Sequence, residues 1–141
     1  MFHELADDPG ERTGDELYAA YEAELVAVVD DAGVETVAEA SGVDSETLQA
    51  LVDGESPELE LEDAAAILAV GVDETPEDIA VLSRDALLLG MTNAVYDVEA
   101  LSRELDGDLE PREIQSKVEG RFPMTLREFA LLHATIQERT R

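Results

Sequence analysis

The chain has 141 residues, of which 45% are hydrophobic, and its few aromatic residues (three Phe, three Tyr, no Trp) predict an aliphatic core. It contains no cysteine, which excludes disulfides, Cys-ligated zinc, iron–sulfur clusters and thiol catalysis. The longest apolar runs, 64–72 and 86–91, are too short to cross a bilayer, and residues 1–12 lack the features of a signal peptide. We therefore expect a cytoplasmic chain with no membrane partner.

The charge of the chain is strongly unbalanced. Thirty-five Asp and Glu face nine Lys and Arg, giving a net charge of −26, and Lys117 is the single lysine. Such an excess repels itself in dilute buffer, but molar salt shortens the Debye length to about 3 Å. The composition predicts a halophile protein whose acidic surface binds solvent cations without specificity. The alternative is an acidic mimic of nucleic acid that binds a basic partner.

The first half of the chain contains signals for four helices. Residues 1–12 are polar, and we expect them to form a flexible N-terminus. Thr13 and Glu16 have the spacing of a capping box, which predicts a helix that continues to Gly33. Short helices are predicted at 35–41 and 45–52, then an irregular connector at 57–61 and an Ala-rich helix at 62–70.

The second half continues with helical periodicity. Thr75 and Pro76 predict a helix start, and apolar residues then recur through Leu82 and Leu89 as far as Leu105. This pattern indicates either one long helix bent near Gly90 or two helices. Further helices are predicted at 111–120 and 126–140. The predicted fold is therefore all-α.

One segment carries a recognisable motif. Residues 37–51 place small Ala38 where two helices would cross, Gly42 at a turn, and apolar residues where the helices would pack together, namely Val37, Val43, Leu48 and Leu51. This pattern resembles the helix-turn-helix of the lambda-repressor-like family over about residues 15–72. The whole chain is also similar to uncharacterised acidic proteins of haloarchaea. The resemblance implies a small bundle with a helix-turn-helix-like helical domain at 13–73 and a helical C-terminal extension at 74–141 packed on it.

In that family the second helix of the motif enters the major groove of DNA. Here its predicted surface consists of Asp44, Ser45, Glu46, Gln49 and Asp53. Ser45 and Gln49 are able to read bases, but the three acids would face phosphates, and no Lys or Arg lies between Arg12 and Arg84. DNA is thus a possible partner that the charge disfavours.

Basic residues concentrate at the other end of the chain. Residues 1–82 hold 24 acids and one base, whereas residues 112–141 hold four acids and six bases, which are Arg112, Lys117, Arg121, Arg127, Arg139 and Arg141. One interpretation is that these bases pair with acids of the chain itself. The other is an interaction surface for a protein partner or a homodimer, composed of Arg112, Lys117, Arg121, Arg127 and Leu131.

No motif indicates catalysis, and no catalytic, cofactor or metal residue is predicted. His3 lies in the N-terminal segment, and His133 lies at the edge of an apolar helix face without a second histidine near it in sequence. The acids at 106–110 do not have EF-hand spacing. We therefore predict a non-enzymatic protein-interaction or regulatory protein. The alternatives are a sequence-specific DNA-binding transcriptional regulator and an enzyme of unknown class.

Overall fold

The computed structural model describes residues 1–140, and in this part of the chain it contains eight α-helices and no strand. The predicted all-α bundle is confirmed. Arg141, one of the six basic residues in 112–141, lies outside the described residues. The helices are α1 Gly14–Ala32, α2 Val34–Ser41, α3 Ser45–Val52, α4 Leu61–Gly71, α5 Pro76–Ala94, α6 Val98–Glu104, α7 Pro111–Val118 and α8 Leu126–Thr140.

Helix α1 begins where the capping box predicts. The Glu16 amide donates to the Thr13 hydroxyl, and the Thr13 amide donates to the Glu16 carboxylate, at 3.1 and 2.9 Å. Helices α2 and α3 pack on α1 and on each other, and Gly42 joins them with φ of 78°. A left-handed residue at this turn costs glycine little, because it has no Cβ.

A short backbone pairing, which we call the 59/126 bridge, joins the two halves of the chain. The amide of Leu61 donates to the carbonyl of Met124, and the amide of Leu126 donates to the carbonyl of Leu59, at 2.7 and 2.8 Å. All four of these side chains are buried. The predicted irregular connector at 57–61 thus contributes to an isolated antiparallel bridge between Glu60 and Thr125.

Helix α8 lies at the centre of the packing. It contacts α1 on one side and α5 on another, and α4 packs between α1 and α5. Buried side chains from both halves form one hydrophobic cluster. The C-terminal helices therefore complete the core of the front half, while the proposed boundary at 73/74 stays a prediction.

The long apolar pattern resolves into two helices, but the break is not at Gly90. Helix α5 continues through Gly90 and ends at Ala94, and Val95 follows it with φ of 55°. Asp97 then caps α6 by accepting from the Ala100 amide. Gly90 instead allows close helix packing, since an added Cβ there would lie 2.8 Å from Cγ2 of Ile136 on α8.

The N-terminal segment corrects the prediction of a loosely held tail. Phe2 is fully buried, with its ring edge-on to Tyr21 and Phe129 at centroid distances of 5.6 and 6.4 Å. Its amide donates to the hydroxyl of Ser83 on α5 at 3.2 Å. The segment is an integral part of the core because a large aromatic side chain anchors it.

Candidate functional site

The predicted recognition surface on α3 is exposed, as the motif implies. Asp44, Ser45, Glu46, Gln49 and Asp53 are all accessible to solvent. The side-chain NH₂ of Gln49 donates to the Asp53 carboxylate at 3.1 Å, so one of its two N–H donors is already engaged. Helix α3 packs on α1 and α2, and no lysine or arginine occurs in these three helices. The surface presents carboxylates and offers no side-chain cation to a phosphate.

Most basic residues of the predicted interaction surface form ion pairs with acids of the same chain. Arg127 lies 3.3 Å from the Asp15 carboxylate and 4.2 Å from the ring centre of Tyr18, both on α1. Lys117 pairs with Glu128 at 2.5 Å. These contacts match the interpretation that the bases pair with acids of their own chain.

The remaining members of that surface make other contacts. Arg121 pairs with its neighbour Glu119 at 2.8 Å, and Arg112 shares a groove with Lys117 and the exposed ring of Phe122. Leu131, the apolar member of the predicted interaction surface, is half-buried and packs against α1 at Gly14. The close approach of α1 and α8 covers it, so it is not an exposed anchor.

An apolar surface that sequence reasoning missed lies on the outer side of α5. The periodic pattern assigned Leu82 and Leu89 to the core, yet both are exposed, Leu89 by 63%. Among the described residues, six large hydrophobic side chains are exposed, and all but Phe122 lie on α5 or at its end: Val81, Leu82, Leu88, Leu89 and Val95. We call these five residues the α5 face. Two charged residues lie between them along the helix, the exposed Asp85 and the half-buried Arg84, which pairs with Glu62.

The residues on the opposite side of α5 explain why its large aliphatic residues are left exposed. Its buried positions include Ser83 and Gly90, which are small enough to allow the N-terminal segment and α8 to approach closely. The helix is therefore apolar on more than one side. An excess of large aliphatic residues beyond one helical face is the sequence signal that could have revealed the exposed stripe.

A cleft of about 390 Å³ lies beside the α5 face, between α5, α8 and the N-terminal segment. We call it the histidine cleft. It corrects the expectation that His133 has no histidine nearby, because the rings of His3 and His133 lie 6.4 Å apart. The sequence separation of 130 residues hid this proximity, which depends on Phe2 anchoring the N-terminal segment.

His133 is unusual among the polar residues of the core. It is 4% exposed and stacks on Phe129 at 5.7 Å, and neither ring nitrogen has a hydrogen-bond partner. The pKa of His133 is lowered to about 4, mainly by burial and to a smaller extent by positive charge on His3 and on the N-terminal ammonium group, while an interaction with the backbone of His3 partly opposes the shift. His133 is therefore a neutral imidazole at pH 7. Burial also lowers the pKa of His3, whose Nε2 lies 3.1 Å from Glu4.

Within residues 1–140, no group of three or more His, Asp or Glu side chains is arranged to hold a metal ion. No helix in the same part of the chain is both long and apolar enough to cross a bilayer.

The chain was compared with known proteins. Curated proteins and solved structures gave no match. The family of unknown function DUF5791 matches residues 17–139, from the first turns of α1 to the last turn of α8. Because this match covers most of the chain, the protein belongs to the DUF5791 family.

Proposed function

We propose that this chain is a non-enzymatic interaction protein of a halophile's cytoplasm, and that it binds a protein partner through the α5 face. The observation that carries the proposal is the concentration of exposed large aliphatic side chains on one helix of an otherwise acidic surface. Contiguous exposed apolar patches on soluble proteins mark binding surfaces more often than isolated exposed residues do. Molar salt strengthens such apolar contacts while it screens exposed charges.

The charge around the α5 face favours a different protein over a second copy of this chain. Glu77 lies at the beginning of the helix, Asp85 in its middle and Asp97 just beyond its end, and all three are exposed. A symmetric pair of copies, each with a net charge of −26, would bring like charges together at the rim. The proposed partner therefore has an apolar face, such as an amphipathic helix, with basic residues at its rim.

The DNA-binding alternative receives less support. The lengths of α2 and α3 and the turn at Gly42 agree with the helix-turn-helix resemblance. However, the exposed side of α3 is acidic, and the paired bases Lys117 and Arg127 are engaged elsewhere. DNA-binding surfaces gain most of their affinity from phosphate contacts, and α3 has no cation to make them.

The experiment compares the partners that crosslink to the tagged native chain with those that crosslink to its variants. Crosslinking is done in the chain's own cells at native salt, and quantitative mass spectrometry measures each partner. The variant Val81→Gln/Leu88→Gln removes two exposed apolar side chains without touching the core. We expect one stoichiometric partner to be depleted at least tenfold in this variant. The control Gln49→Ala on α3 should retain that partner.

Two further results would decide between the alternatives. Sedimentation of the purified chain in 2 M KCl should show a monomer, whereas a dimer abolished by Val81→Gln/Leu88→Gln would assign the α5 face to self-association. Discrete DNA sites that disappear with Gln49→Ala would replace the proposal by a transcriptional regulator.

A further inference from the structure

We propose that the histidine cleft binds a primary ammonium group carried on a small apolar body. The cleft lies between three elements that the sequence separates widely: the N-terminal segment, α5 and α8. Its apolar wall comes from Leu82, Ala86 and Leu89 of α5. Leu82 and Leu89 also belong to the α5 face, whereas Val81 and Leu88 do not line the cleft, so variants of Val81 and Leu88 test the partner surface without changing the cleft.

His133 presents a hydrogen-bonding group to the cleft that the chain leaves unused. Its side chain forms part of the cleft wall and is more than nine-tenths buried. Within residues 1–140 neither ring nitrogen has a hydrogen-bond partner with good geometry, although the backbone of His3 interacts with the ring. A neutral imidazole has one nitrogen that accepts a hydrogen bond. Buried polar groups without a partner are costly and uncommon in folded proteins. A ligand with an N–H donor would supply the missing partner.

The charge of the residues that line the cleft favours a cationic ligand. The described residues that line the cleft include the carboxylates of Glu4 and Asp85 and the side-chain amides of Asn93 and Gln137, but no lysine or arginine. The positive charge beside it is the N-terminal ammonium group, 2.9 Å from Nδ1 of His3. A carboxylate and a neutral imidazole both accept hydrogen bonds, and an ammonium group has three donors to offer. An anionic ligand would instead face two carboxylates. A metal ion is disfavoured because no group of three ligating side chains converges within residues 1–140.

The aliphatic wall of the cleft would make it selective for an amine over an inorganic cation. A chain with a net charge of −26 attracts every cation, so charge alone would not distinguish an amine from K⁺. The aliphatic wall makes the distinction, since hydrated inorganic cations gain nothing from it and an alkyl or aryl group does. The ammonium group comes either from a free amine or from a lysine side chain of another protein.

The test is a nuclear magnetic resonance titration of the full chain in 2 M KCl at pH 7.5. The sequence has only two histidines, so the ring nitrogen signals of ¹⁵N-labelled protein are assigned with a single His3→Gln variant. The probes are benzylammonium, its neutral analogue benzyl alcohol, and benzoate. We expect benzylammonium to shift the His133 ring signals saturably, and the other two probes to bind at least tenfold more weakly.

Matched variants of α5 separate the cleft from general charge attraction. Asp85→Asn should weaken benzylammonium binding at least fivefold, whereas Asp78→Asn removes the same charge from the same helix outside the cleft and should change it less than twofold. Val81→Gln/Leu88→Gln should also leave the titration unchanged. Loss of partner binding with an intact titration would thus separate the two proposals.

The source of the ammonium group is assigned by a second probe, lysine with blocked α-amino and carboxyl groups. Binding as tight as that of benzylammonium would identify a protein lysine, and binding at least fivefold weaker would identify a free amine. The proposal is overturned if benzylammonium gives no saturable shift at His133, if benzoate binds as well, or if Asp85→Asn and Asp78→Asn behave alike.

Discussion

Replacing His133 by Phe should stabilise the protein at neutral pH. The substitution keeps a ring of similar size stacked on Phe129 and removes two buried nitrogens that have no partner. Leaving a buried polar group unsatisfied costs about 1–3 kcal/mol, so the free energy of unfolding of His133→Phe should exceed that of the native chain by roughly this amount. Urea denaturation followed by circular dichroism in 2 M KCl at pH 7 measures the difference.

The same variant should also change how stability depends on pH. The pKa of His133 falls from 6.5 in the unfolded chain to about 4 in the folded protein. Between these values the unfolded state binds more protons, so the native chain loses stability as pH falls from 6.5 towards 4, by about 3 kcal/mol in total. His133→Phe lacks this loss. The variant's advantage should therefore grow by about 3 kcal/mol between pH 7 and pH 4.

The comparison between the two proteins cancels most other titrations, because His3, Glu4 and Asp85 around the cleft are present in both. Parallel pH profiles, or a variant that is less stable at pH 7, would refute the argument. Either result would mean that the imidazole of His133 is satisfied and charged more readily than its burial implies.

Three further substitutions test the packing by the same urea denaturation assay. Phe2→Ala should lower the free energy of unfolding by about 3–5 kcal/mol, because its ring is fully buried; a change below about 1 kcal/mol would support a loosely held segment after all. Gly90→Ala should destabilise by about 1–3 kcal/mol, since its methyl group would lie 2.8 Å from Ile136, and a gain in stability, as expected for alanine in an open helix, would contradict this close approach. Arg127→Ala removes an exposed ion pair and should cost less than about 1 kcal/mol, and a much larger loss would show that its contacts with α1 hold the fold together.

Local signals predicted the helices well because they act over three or four residues. The capping boxes at Thr13 and Thr125 both form, with the Thr125 amide donating to Glu128 at 2.9 Å and the Glu128 amide to Thr125 at 3.0 Å. Gly33 and Gly42 end helices as predicted, each with positive φ. Such contacts depend on the immediate chain and hardly on tertiary structure.

The candidate sites were harder to predict because they depend on which side of a helix is covered. Helix α5 has aliphatic residues on several sides, so periodicity alone could not show that Ser83 and Gly90 face the core while Leu89 faces solvent. The histidine cleft depends on a contact between residues 3 and 133, and no pattern within a short window encodes it. The exposure of the α3 residues, by contrast, followed from a local motif and was predicted correctly.

The 59/126 bridge also has a consequence for how the protein opens. Its two amides, those of Leu61 and Leu126, donate across the boundary between the front and back halves, and their side chains are fully buried. Neither amide is able to exchange its hydrogen with solvent unless the halves separate. Because α8 belongs to the same core as α1, that separation requires most of the buried cluster to come apart. These two amides should therefore exchange only through global unfolding, as parts of a single cooperative unit.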